Sequence, residues 1–218
     1  MTAVAGTTAL MNRAYRRQRH IYDLTRKYFL LGRDHLIQRL GPAPSDRVLE
    51  IGCGTGRNLI LAARKYPHAR FYGIDVSTEM LTTAIGAIDR AGLSSRIRVA
   101  HGDAGAFDPA MLFGTARFER VFLSYSLSMI PRWDDVLNRT ISLLPPGGEL
   151  HAVDFGTLER LPTMLRKPLR TWLTLFHVTP LERLELWLTL RAGYVGAKIS
   201  FEHMHRSYSQ YAKLRMAD

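Results

Sequence analysis

Three glycines and three acids carry the most visible chemistry in this sequence. Gly52, Gly54 and Gly56 lie in VLEIGCGTG (48–56), where an apolar run gives way to a loop and then to a helical pattern. Glycines at such a place let the backbone turn tightly and approach a ligand, while the following helix N-terminus offers free N–H groups. The spacing is G-x-G-x-G, not the G-x-G-x-x-G that admits a pyrophosphate. Glu50 stands two residues before the first glycine. Its carboxylate would repel a pyrophosphate and suits a ligand with a positively charged arm. Asp75 follows Gly56 by nineteen residues, a position from which a carboxylate can accept hydrogen bonds from both hydroxyls of a ribose. Asp103 closes a further apolar run in HGDA (101–104), with Ala104 beside it.

The elements needed to position these residues are legible as alternating patterns. RVLEIG (47–52), RFYGID (70–75), IRVAHG (97–102), RVFLSY (120–125) and ELHAVDF (149–155) read as short buried strands. Between them, helices are predicted from Gly56 to Tyr66, from a Ser77 cap to about Ala91, and from Asp134 to Leu144, where Pro145-Pro146-Gly147-Gly148 stops the chain. Leu181–Arg191 is predicted as a last helix closed by Gly193, and AKISFEH (197–203) and YSQYAKL (208–214) as a terminal strand pair. This alternation predicts an α/β fold: a doubly wound, mostly parallel, seven-stranded Rossmann-like sheet with helices on both faces. Ligands in such sheets bind beyond the strand carboxyl ends, where strand order reverses. The glycines, Asp75 and Asp103 all fall at such ends. Met80, one turn into the helix after Asp75, is placed to pack on a base.

Around this core the composition changes. The net charge of the 218 residues is +11. Residues 1–45 carry eight Arg and Lys against two acids, residues 46–156 twelve against twelve, and residues 157–218 ten against five. Flanks of this kind attract polyanions, either nucleic acid or an anionic membrane surface. Arg13–Leu40 reads as helical, with Asp23 able to cap a helix start and Leu24, Tyr28 and Leu31 on one face; GPAPS (41–45) ends it. We expect residues 1–45 to form a helical lid on a catalytic domain at 46–218, with 156–180 a helical insertion before the last helix. Within 158–194, Arg166, Lys167 and Arg170 lie beside Trp172, Leu173, Leu175 and Phe176, a mixture suited to a membrane interface. No apolar run is long enough for a spanning helix, and no signal peptide is read. The single cysteine, Cys53, fits as a small space-filling thiol in the loop and suits a reducing compartment. The eight histidines show no metal-ligand spacing, and His203 and His205, i,i+2 on a strand, are read as having no acidic or cysteine partner nearby, so no metal is expected.

The VLEIGCGTG loop, with Asp75 and Asp103 in order after it, resembles the motifs of class I S-adenosylmethionine-dependent methyltransferases. The resemblance implies S-adenosyl-L-methionine as cofactor, held by Glu50, Gly52, Cys53, Gly54, Asp75, Met80, Asp103, Ala104 and Ser124. Asp103 would sit near the adenine amino group. The fourth strand ends in LSYSLSMIP (123–131), without the N/D-P-P-Y/F that holds a nucleobase amine. RRQRHIYDLTRKYFLLGRDHLIQRL (16–40), ahead of EIGCGTGRNL, is similar to the diacylglyceryl-homoserine N-methyltransferases of bacterial betaine-lipid synthesis. That family methylates a lipid-linked amine three times. Membership implies a lipid substrate, an anionic membrane surface as partner with no nucleic acid, and a cytoplasmic enzyme peripheral to the inner membrane. A Y-D dipeptide before the core also occurs in quinone and sterol methyltransferases, so a quinone or small-molecule acceptor is the alternative. An RNA-binding protein on a methyltransferase fold is the alternative of another class. Asp154 and Tyr125, at strand ends, are the candidates to take the amine proton. Tyr22, Tyr28, Tyr125 and Phe155 are aromatics that could hold a methylated ammonium by cation–π attraction. Arg26 could bind a carboxylate of the cofactor or of the head group.

Overall fold

The computed structural model describes residues 30–175 and 178–218. Tyr22, Arg26, Tyr28, the cap at Asp23 and Phe176 lie outside the described residues. Seven strands form one sheet: β1 (Arg47–Ile51), β2 (Arg70–Asp75), β3 (Ile97–His101), β4 (Arg120–Ser124), β5 (Glu149–Phe155), β6 (Lys198–Met204) and β7 (Ser209–Arg215). Their order is β3-β2-β1-β4-β5-β7-β6. β1 to β5 are parallel, while β7 runs antiparallel to both β5 and β6. Order reverses between β1 and β4, which sets the glycine loop against the loop after β4. The expected α/β sheet is the observed one, with strand ends within a residue of their predicted places.

Alternation along the strands builds two cores. Val48, Phe71, Phe122, Val153 and Phe155 face one side. There they meet α1 (Arg33–Arg39), α2 (Arg57–Lys65) and α3 (Thr78–Arg90), through residues such as Leu36, Leu59 and Ala84. Leu49, Ile51, Ile74, Leu123 and Leu150 face the other side. They pack against α4 (Pro109–Phe113), α5 (Trp133–Ser142) and α7 (Leu184–Val195). The insertion carries α6 (Thr163–Leu175), with Pro168 inside it. Among the described residues, no helix is long and apolar enough to cross a membrane.

The N-terminal helix, both ends of the last helix, which starts at Leu184 rather than Leu181, and one extra helix differ from the sequence reading. The helix expected over Arg13–Leu40 does not run through Gly32, whose φ of +90° precedes α1. That left-handed φ is one that side chains other than glycine's rarely adopt, and it selects glycine there. α1 belongs to the core and not to a detachable lid: Leu36, Ile37 and Leu40 are at most 5% exposed. Tyr66 donates its hydroxyl to Ile37 O and Gln38 O, each at 2.9 Å, and Arg120 Nε donates to Leu40 O. α7 continues past Gly193 and ends at Gly196, which takes the left-handed conformation that closes a helix. α4 was not anticipated. Its signal is the dipeptide Asp108-Pro109, where Asp108 accepts from Ala110 N and Met111 N and proline takes the first helical position.

Candidate functional site

The glycine loop is stitched to the end of β2. Gly52 N–H and Cys53 N–H both donate to Ile74 O at 2.9 Å. Gly54 N–H donates to Asp75 Oδ2 at 2.7 Å, and Ser77 N–H donates to Asp75 Oδ1 at 2.9 Å. Asp75 therefore ties the loop after β1 to the turn before α3, whose cap is Ser77, accepting from Met80 N. Gly52 has φ +76°, and a Cβ there would meet Ser126 Cβ at 2.7 Å. Gly73 on β2 matters in the same way, because its Cβ would strike Leu59 Cδ1 at 2.6 Å and Cys53 Cβ at 2.9 Å. Cys53 is the small residue that fills this space. Burial pushes its thiol pKa well up, Asp75 and Glu50 push the same way, and the sulfur stays a protonated packing group.

Two cavities open on either side of Gly52 and Gly54, which line both. One, of about 150 Å³, is walled by Asp75, Met80, Asp103, Ala104, Tyr125 and the segment Met129–Pro131, among others. It is mainly apolar with two carboxylates at its edge, the composition a nucleoside requires. Asp103 accepts from Gly105 N–H at 2.8 Å, which fixes its carboxylate in the turn. The other, of about 230 Å³, is lined by Leu30, Arg33, Glu50, Cys53, Asn58 and Ser124, with neighbours in the loop. Glu50 is 1% exposed and accepts from Asn58 Nδ2 at 2.8 Å. Asn58 Oδ1 and Ser124 Oγ are buried in this polar cavity without a hydrogen-bond partner among the described residues. Unmet polar atoms of this kind are costly in an empty site and are satisfied by a polar ligand. The pair of cavities suits a nucleoside joined to a zwitterionic arm.

The twelve described residues predicted for the site divide by position, and Phe155, 4% exposed, lines neither cavity. Glu50, Gly52, Cys53, Gly54, Asp75, Met80, Asp103, Ala104, Ser124 and Tyr125 line one or both cavities. Asp154 lines neither. It is 1% exposed and accepts from Ser128 N–H at 3.0 Å and Phe155 N–H at 2.8 Å. Burial raises its pKa to about 6 against the lowering pull of those donors. This geometry makes Asp154 an anchor of the loop after β4 and keeps it off the walls of both cavities. Burial, helped by the charge of Asp154, lifts the Tyr125 phenol well above the ordinary value, and its hydroxyl donates to Leu31 O. It stays a phenol, and what it offers the site is its ring, held edge-on to Phe155 with centroids 4.7 Å apart. Its φ of 56° is rare for an aromatic residue and sets the ring at the cavity wall.

Arg33, Asn58, Ser126, Met129 and Ile130 line the cavities without having been singled out from sequence. Asn58, eight residues after Glu50, had a usable signal: the first turn of α2 must face the strand it leaves. Arg33 had none, because its place depends on how α1 docks. His203 has an acidic partner that sequence distance hid, since its Nε2 lies 3.1 Å from Glu185 Oε2 of α7. Among the described residues, no group of three His, Cys, Asp or Glu side chains is placed to hold a metal ion.

Residues 48–148, the span from β1 to the turn before β5, match the model of a methyltransferase domain family. The chain is 27% identical over 128 residues to the ubiquinone/menaquinone biosynthesis C-methyltransferase of Cereibacter sphaeroides, an alignment covering 59% of this chain and 50% of that protein. It is 25% identical over 146 residues to the demethylmenaquinone methyltransferase of Bacteroides fragilis, covering 65% of this chain and 58% of that one. The chain thus aligns with about half the length of the curated relatives it matches. Its fold is similar to that of Haemonchus contortus phosphoethanolamine N-methyltransferase 2, solved with S-adenosyl-L-methionine, with a TM-score of 0.69 over 85% of this chain and 52% of that chain at 18% identity. The matched stretch, from β1 to the turn before β5, holds the glycine loop, Asp75 and Asp103, and this part of the chain is similar to methyltransferase domains.

Proposed function

We propose that this protein transfers methyl groups from S-adenosylmethionine to the amino group of a lipid-linked homoserine, turning diacylglyceryl-homoserine into its trimethylated betaine in three rounds. The observation that carries the methyltransferase reading is the pair of cavities sharing Gly52 and Gly54. Asp75 would receive the ribose hydroxyls, Met80 the adenine face, and Asp103 the adenine amino group. Glu50, Asn58 and Ser124 would meet the ammonium of the methionine arm, with Arg33 as the cation for its carboxylate. When bound, the cofactor supplies an electrophilic methyl carbon.

The residues of this chain then have modest chemical work. A neutral amine is already a competent nucleophile, so alignment supplies most of the acceleration. The proton released in the first two methylations needs no dedicated protein base and leaves to solvent. The ring of Tyr125, backed by Phe155, suits an acceptor that gains a fixed positive charge, by cation–π attraction of ~0.5–2 kcal/mol. The lipid-amine reading also draws on the 16–40 segment and on the basic flanks. A second reading, methylation of a quinone ring carbon, is favoured by the names of the relatives above. Mass spectrometry of lipids from cells expressing this chain with an enzyme that makes diacylglyceryl-homoserine decides between them. Successive gains of methyl mass on the homoserine lipid are expected. An unchanged homoserine lipid beside a newly methylated quinone would establish the second reading instead.

A further inference from the structure

A third cavity, of about 770 Å³, adjoins the nucleoside cavity, and Met129, Ile130 and Pro131 line both. One wall is the segment after β4; the other is the end of α6 with residues 178–183. Val178 and Leu181, 9% and 5% exposed, give it a buried apolar floor, with Trp133 beside them. Its rim is charged: Arg170 pairs with Glu182 at 2.8 Å, and Arg183 stands next in the chain. The walls are fixed to each other. Thr179 N–H donates to Ser128 O at 2.9 Å, and Trp133 stacks edge-on to Trp187 of α7 at 5.7 Å. Ligand cavities commonly span ~300–1,000 Å³, and this one falls within that range.

We propose that this cavity holds an apolar chain of the methyl acceptor, whose reactive head reaches the nucleoside cavity past Met129, Ile130 and Pro131. The insertion is thereby a chain-length selector. An apolar floor leading to the cofactor cavity, beneath a charged rim, matches an amphiphile and not a soluble amine. The inference rests on the lipid-acceptor reading for its head group but not for its chain. Burying each methylene is worth about fourfold in affinity, so acceptors with longer chains gain steeply until the cavity is full.

The test uses Thr179→Phe, which places a ring in the cavity from an exposed position. With diacylglyceryl-homoserines of four- and twelve-carbon chains, kcat/KM of the wild type should favour the longer chain. In T179F that long-to-short ratio should fall at least tenfold while calorimetric affinity for S-adenosylmethionine holds. Independently, a brominated twelve-carbon alkyl trimethylammonium, below its micellar concentration, should quench tryptophan fluorescence of the wild type. Most of that quenching should vanish in Trp133→Phe and in T179F. Indifference of the wild type to chain length, equal losses for both acceptors in T179F, or no quenching would each overturn the proposal. If no homoserine lipid is methylated yet quenching occurs and T179F abolishes it, the head-group reading has failed and the chain site stands.

Discussion

Asp75 has two duties, because the carboxylate proposed for the ribose also receives Gly54 N–H and Ser77 N–H. A carboxylate can accept about four hydrogen bonds, so both duties are compatible. Removing it should therefore cost more than a ribose contact. Hydrogen bonds to a charged group are worth roughly 1.5–3 kcal/mol each. Asp75→Ala is expected to weaken S-adenosylmethionine binding by at least ~10-fold in calorimetry. An unchanged dissociation constant would remove Asp75 from the ribose, and NAD binding of comparable strength would overturn the cofactor assignment. What was legible at this scale was residue type at a strand end: Glu50, Asp75, Met80 and Asp103 all reach the site. What was not legible was burial. Asp154 and Tyr125 have the right chemistry at the right strand ends, yet packing closes one carboxylate around backbone donors and holds the other side chain as a neutral phenol.

Elements were legible wherever a period was unbroken. Four of the five parallel strands, β1, β2, β4 and β5, stand out because both of their faces are buried, which makes them nearly continuous apolar runs, while β3 lies at the sheet edge and is mostly half-buried or exposed. The sequence predicts one long helix there because Leu24, Tyr28 and Leu31 keep a helical spacing up to Gly32; the break is the left-handed backbone at Gly32 itself, φ +90°. This changes where the N-terminal region can be cut. A chain starting near Pro44 loses Leu36, Ile37 and Leu40 and exposes the core of one sheet face. Leu-to-Ala changes at such sites cost about 2–5 kcal/mol each, so that shorter chain should fail to fold. A chain starting at Leu30 keeps α1, the Leu31 carbonyl that receives Tyr125, and Arg33 in the polar cavity. Residues 1–29, with Tyr22 and Arg26, are expected to complete the acceptor side as a lid that excludes water. The Leu30 chain should then show a normal thermal transition and retain cofactor binding, with turnover down by two orders of magnitude or more. Near-normal turnover would end the lid assignment and with it the roles given to Tyr22 and Arg26.

For the whole molecule, charge and exposed apolar surface point the same way. The segment 46–156 is neutral, with twelve basic and twelve acidic residues, while the flanks hold the entire excess of +11. A generally basic surface would spread that excess through the catalytic segment as well. Exposed apolar side chains accompany the basic C-terminal flank: Met164 and Leu165 on α6 beside Arg166 and Lys167, and Leu186, Leu190 and Tyr194 on α7. The last three recur every fourth residue and so share one face of the helix. We propose from these features that the chain attaches to an anionic bilayer, where each basic residue near the surface would add about 1 kcal/mol and apolar side chains would enter the interface. Binding to vesicles containing anionic lipid should therefore fall steeply as salt rises, since screening acts over ~8 Å at physiological ionic strength. It should not require the acceptor lipid. Replacing Met164 and Leu165 together by Glu should weaken sedimentation with vesicles by roughly tenfold or more at every salt concentration, because burial of two apolar side chains is lost. Equal binding to neutral and anionic vesicles at low salt would show that charge is not the anchor. Salt-sensitive binding of RNA at affinities that vesicles do not match would move the basic flanks from a membrane to a nucleic acid.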